Sequence, residues 1–140
     1  EAAHAIAQSV FDEAMRSACA ARALADPSRR VQAVALRALR RGSATLTVAE
    51  LQALVRREPQ ALRPVLRALD DYDAWTRVPA ALALLAEHPL DAAEAADELA
   101  ALHLALRCSA YAPSEGQSAA VQEAADRLQQ RRPALRFSRP

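Results

Sequence analysis

Histidine, cysteine and clustered carboxylates are the side chains from which a hydrolytic, redox or metal centre would be built, and this chain of 140 residues offers few of them. His4, His88 and His103 stand apart, and His103 precedes Cys108 by five residues, not the i, i+4 spacing that sets two ligands on one helical face. The turn Asp70, Asp71, Asp73 has the acid density of a calcium loop but lacks its glycine and its bidentate glutamate, so capping and solvation account for it better. Asp91, Glu94, Asp97 and Glu98 could pair for acid–base work, yet they sit where a helix begins and where its dipole favours anions. HExxH, GxSxG, GxGxxG and phosphate-loop patterns are missing, and Gly42 and Gly116 are the only glycines from which a phosphate cradle could be made. Cys19 and Cys108 lie far apart in sequence, which fits two buried thiols in a reducing compartment, with one long-range disulfide as the alternative. The expectation is a protein with no catalytic residues, no metal and no cofactor.

Charge is the richer signal. All 18 basic residues are Arg, and Lys and Asn are both missing, which is the composition of a GC-rich bacterial genome. Avoidance of lysine by a protein secreted into a host cell is the rival reading. The net charge of +1 hides a division: from Arg16 to Arg67 there are 11 Arg against three acids, a net of +8, and from Ala68 to Asp126 there are 11 acids against two Arg, a net of −9. Arg30, Arg37 and Arg41 recur at spacings of seven and four, which sets them in one stripe of a helix, with Arg56 near the end of the next helix. Such a stripe can be a solvated face, a phosphate-binding track or a protein interface. Against nucleic acid stand the missing Lys, the few aromatic residues for stacking and the acidic half, so an acidic protein partner is the favoured occupant. Trp75, beside Tyr72, is the candidate anchor of an interface or of the core. The binding set is therefore Arg30, Arg37, Arg41, Arg56 and Trp75, and opposite charges on one chain also leave self-association open.

Helices must position these residues. Of the 140 residues 52% are apolar and 37 are Ala, whereas the two glycines leave little for the tight turns of a sheet, so an all-α chain is expected. Ile6, Val10, Ala14 and Ala18, flanked by Phe11, Met15 and Cys19, predict a first helix from Ala2 to about Leu24 with that face buried. Asp26-Pro27 reads as the N-cap and first position of a second helix ending at Arg41, with Gly42 as its left-handed terminator. Leu46-Thr47-Val48-Ala49-Glu50-Leu51 combines a capping box with a hydrophobic staple and starts a third. A fourth helix begins near Ala61 or is kinked at Pro64; a fifth starts at a Thr76 cap that would place Pro79 in its first turn; a sixth is capped by Asp91; a seventh runs from Ser118 to about Gln130. One helical domain over 1–132 with a tail over 133–140 is expected. Because the chain opens inside a helical pattern, it reads as a fragment of a longer protein. No signal segment or membrane span is predicted, which fits a bacterial cytoplasm.

Two segments repeat. Leu24 to Leu36 and Leu69 to Leu82 share an Asp-containing turn, an Arg-Val pair and an Ala/Leu helix, with Val31 and Val78 47 residues apart. The caps Thr47 and Asp91 that follow are 44 apart. The run Ala23-Leu-Ala-Asp-Pro-Ser-Arg-Arg-Val-Gln-Ala-Val-Ala-Leu-Arg-Ala-Leu39 resembles the Asp-Pro turn and Ala/Leu helix of a bacterial HEAT-like repeat, whose period is about 40 to 47. That resemblance implies a helix-pair stack, a compact helical bundle being the alternative, and a scaffold that binds proteins, less often nucleic acid, with no catalytic residues. The function expected is a non-catalytic protein-interaction domain using the arginine face; a nucleic-acid-binding solenoid and a module of a secreted bacterial effector are the alternatives.

Overall fold

The computed structural model describes residues 2–137, apart from the side chain of Ile6. Ile6, the first position of the expected apolar stripe, and the last three residues of the expected tail, 138–140, lie outside the described residues. The chain is all-helical, with seven α-helices and no strand among the described residues: α1 Ala2–Leu24, α2 Arg29–Arg40, α3 Val48–Arg57, α4 Leu62–Leu69, α5 Ala74–Glu87, α6 Ala92–Arg107 and α7 Glu115–Arg131, with a 3-10 turn at Pro59–Ala61 before α4. Contacts divide it into two units, Glu1–Asp71 and Tyr72–Pro140, meeting within the acidic turn.

In the first unit α1 packs on α2, α2 on α4, and α3 on α4. The Asp26-Pro27 turn works differently from expectation. The Asp26 carboxylate accepts the Ser28 N–H at 2.8 Å, Ser28 is the N-cap of α2, and Pro27 precedes the helix instead of opening it. The Gln32 side chain then donates to the Asp26 carbonyl at 2.8 Å, tying the turn to the next helix. At the other end Gly42 has φ +74°, its N–H donates to the Leu39 carbonyl, and Ser43 N–H donates to Ala38, the bond pattern of a Schellman terminator. Thr47 and Glu50 form the expected reciprocal capping box at the start of α3, and Leu46 and Leu51 are both buried. Pro64 occupies the third position of α4, where its missing N–H costs no helical bond, so α4 begins at Leu62.

In the second unit α5 packs against both α7 and α6. Half of its 14 residues are buried, among them Val78, Leu82 and Leu85, and they share the core with Leu99, Leu102 and Leu106 of α6 and Val121 and Leu128 of α7. The cap of α5 is Asp73, whose carboxylate accepts from the N–H groups of Trp75 and Thr76 and from the Thr76 hydroxyl at 2.7 Å. Thr76 is therefore inside the helix, and Pro79 lies beyond the first turn, where it deprives the Trp75 carbonyl of its helical donor. Asp91 caps α6 through the Glu94 N–H, as its spacing predicts. The start of α7 is three residues earlier than expected, because Ser114 and Gln117 make a second capping box that places Gly116 within the first turn.

Candidate interaction face on the first unit

The first helix departs from expectation in a way that matters for function. Of the expected stripe Val10, Ala14 and Ala18 are exposed, as are Phe11, Met15 and Cys19 beside it, and the helix is buried only at its end, through Ala20 and Leu24. Val10, Phe11 and Met15 are 61%, 59% and 51% exposed, and no described side chain before Ser17 is even half-buried. Length explains this. At 1.5 Å per residue α1 is about 34 Å long and α2 about 18 Å, so the shorter helix cannot cover the longer one. Its last turns are fixed by the α2 contact and by the Thr45 N–H, which donates to the Ser17 hydroxyl at 3.3 Å.

Between α1 and α2 runs a groove of about 350 Å³, walled by Met15, Arg16 and Cys19 on one side and Val34, Ala35 and Ala38 on the other. Nearly all of its surface is apolar, and no carboxylate lines it among the described residues. Packing sets the α2 side: Ala35 and Leu36 face inward, which turns Val34 out at 65% exposure beside the row Arg30, Arg37, Arg41. The structure therefore brings three of the five expected binding residues onto one exposed face, with Arg41 at the C-cap of α2. Arg40 turns to a different side and pairs with Asp71 at 3.3 Å, a surface contact worth little in stability. Arg56 is exposed in the last turn of α3 in the same unit.

Trp75 belongs to the second unit. It is half-buried, and its indole N–H donates to the Tyr111 carbonyl at 3.2 Å, so it anchors the connection between α6 and α7. A second concavity of about 410 Å³ lies where the segment after α7 returns over α6, bounded by Leu99, Ala100, His103, Leu135 and Phe137, with the His103 and Phe137 rings edge to face at 6.2 Å. Cys19 and Cys108 are both exposed and free, so neither the buried-thiol expectation nor a disulfide describes them. Exposure follows from position: Cys19 faces the groove, and Cys108 is the C-cap of α6.

Sequence reasoning found the arginine row but missed its apolar neighbours. Val34 carries the signal, since with Arg30, Arg37 and Arg41 at −4, +3 and +7 it belongs to the exposed stripe of α2. Among the described residues no group of three or more His, Cys, Asp or Glu could hold a metal ion, and no helix is long and apolar enough to cross a membrane. Comparison with protein-family models, with curated proteins and with solved structures gives no match.

Proposed function

We propose that this chain is a non-catalytic protein-interaction domain, a HEAT-like scaffold of bacterial origin, which docks an acidic partner along α2. The carrying observation is the combination on one helix face: Arg30, Arg37 and Arg41 surround an outward valine, next to an apolar groove without carboxylates. A phosphate track has no use for Val34 or for the groove floor, whereas a protein surface with apolar positions between acidic ones uses both. Arginine suits the rim, because its planar fork pairs bidentately with carboxylates at a desolvated edge. Arg56 extends the positive field of the same unit and contributes to the approach of the partner more than to its residence.

The test is fluorescence anisotropy of a labelled helical peptide with Leu at i, i+4 and i+7 and Glu on the flanks, set against a single-stranded oligonucleotide of equal charge. Binding of the peptide is expected, weakened about tenfold or more by Arg30→Glu or Arg37→Glu and only slightly by Arg56→Glu. Tighter binding of the oligonucleotide, lost in the same variants, would refute the protein-docking reading in favour of nucleic acid.

A further inference from the structure

The segment that follows α7 lies on a trough of α6. Ala96, Ala100 and His103 recur at spacings of four and three, which sets them on one stripe of the helix, and the two alanines leave a depression beside the buried Leu99. Past α7 the chain turns at Arg132-Pro133-Ala134-Leu135, where the Leu135 N–H donates to the Arg132 carbonyl at 2.9 Å and proline supplies the φ that the second position of such a turn requires. The turn carries residues 134–137 back over the trough, with the Phe137 ring edge to face on His103. We infer that this trough is a docking site for an extended segment of a partner protein, one with large apolar residues two apart and an arginine between them, and that Leu135-Arg136-Phe137 is the competitor built into the chain.

The chemistry of the occupant follows from the segment already in place. In extended backbone, residues two apart share a side, and burial alternates accordingly: Leu135 and Phe137 are half-buried, and Arg136 between them is exposed. The fit is loose, because about 410 Å³ stays open between this segment and α6, whereas packed interiors leave few voids larger than a water. Leu104, one turn beyond Ala100, is 58% exposed, so the apolar surface of α6 continues past the part that is covered. A longer or bulkier segment of the same pattern therefore gains contacts that the tethered one does not make. Charge favours a basic occupant: α6 carries Glu94, Asp97 and Glu98 in its first two turns against Arg107 at its last position, and Arg131, Arg132 and Arg136 accompany the segment in place. A tethered competitor acts at an effective concentration of about millimolar, and the apparent affinity for a partner falls by the fraction of chains whose trough is open. The site lies within the second unit and does not depend on the arginine face of α2.

Fluorescence anisotropy of a labelled peptide copied from residues 131–137 tests the inference on the whole chain. Leu135→Ser with Phe137→Ser should bind the peptide about tenfold or more tighter than the wild-type chain does, with an unchanged helical spectrum, since both side chains are only half-buried. Ala100→Arg, added to that variant at an exposed position, should abolish binding by filling the trough. Histidine resonances give a second readout: loss of the Phe137 ring should shift His103, the peptide should shift it back, and His4 in the other unit should not move. In the wild-type chain, peptide in millimolar excess should move the Leu135 and Phe137 signals to those of a segment that has left α6. A variant that binds no tighter than wild type, or not at all, overturns the inference, as does binding that survives Ala100→Arg or wild-type signals that stay in place at millimolar peptide.

Discussion

Substituting Phe11 and Leu24 by Ala on the same helix should have very unequal consequences, and the size of the difference follows from burial. Leu24 is fully buried and holds the end of α1 against the unit, so Leu24→Ala removes transfer energy and leaves a cavity, at a cost of about 2–5 kcal/mol. Phe11 is 59% exposed. In the dilute, single-chain protein Phe11→Ala should change stability by no more than about 0.5 kcal/mol, with the better helix propensity of Ala adding a small gain. Urea unfolding followed by circular dichroism separates the two. In a unit of this size, Glu1–Asp71, each kcal/mol shifts the melting temperature by about 4–8 °C, so Leu24→Ala should lower it by roughly 8 °C or more while Phe11→Ala leaves it nearly unmoved. A loss above about 1.5 kcal/mol for Phe11→Ala in dilute protein would mean that the face is packed within one chain, and the account of an uncovered helix would be wrong.

Thr47→Ala removes the hydroxyl that accepts the Glu50 N–H, leaves the Thr47 backbone N–H bond to the Glu50 carboxylate, and should cost about 1 kcal/mol in denaturant unfolding. Gly42→Ala should cost about 1 kcal/mol as well, wholly through its positive φ, because an added Cβ would meet nothing within 4 Å; a d-Ala at this position, introduced by peptide ligation, should recover the loss. Trp75→Phe removes the bond to the Tyr111 carbonyl and should cost about 1 kcal/mol, with faster hydrogen exchange or proteolysis between Cys108 and Pro113 as its local signature.

What could be read from the sequence was whatever local chemistry decides. The capping box of Thr47, the Gly42 terminator and the Asp91 cap each rest on two or three residues whose hydrogen bonds close within one turn, and all three are present. The same signal stands at Ser114-x-x-Gln117, where the neighbouring Pro113 and Gly116 have the composition of a loop and hide it. Pro79 misled in the other direction. Placing it in the first turn required a Thr76 cap, whereas Asp73 supplies three hydrogen bonds and the helix tolerates the proline further in. Burial of the first helix was beyond local reasoning: periodicity shows that a face is apolar, but whether anything covers it depends on the relative lengths of α1 and α2 and on which side of α2 turns inward. The arginine row was legible from its spacing, and its apolar setting emerged only once Ala35 and Leu36 were seen to face the core.

The division of charge changes meaning in the same way. Along the sequence the +8 and −9 stretches suggest two oppositely charged bodies. The structural boundary at Asp71 redistributes them: the first unit holds 11 Arg and eight acids, a net of +3, and the second holds seven Arg and nine acids, a net of −2. The polarity that survives is inside the first unit, where Asp12 and Glu13 lie on the exposed part of α1, Arg16 lines the groove, and Arg30, Arg37 and Arg41 share the exposed stripe of α2 with Val34. Reversing the charges of Asp12 and Glu13 should therefore leave the affinity for an acidic peptide on α2 unchanged or raise it, because the unit becomes more positive.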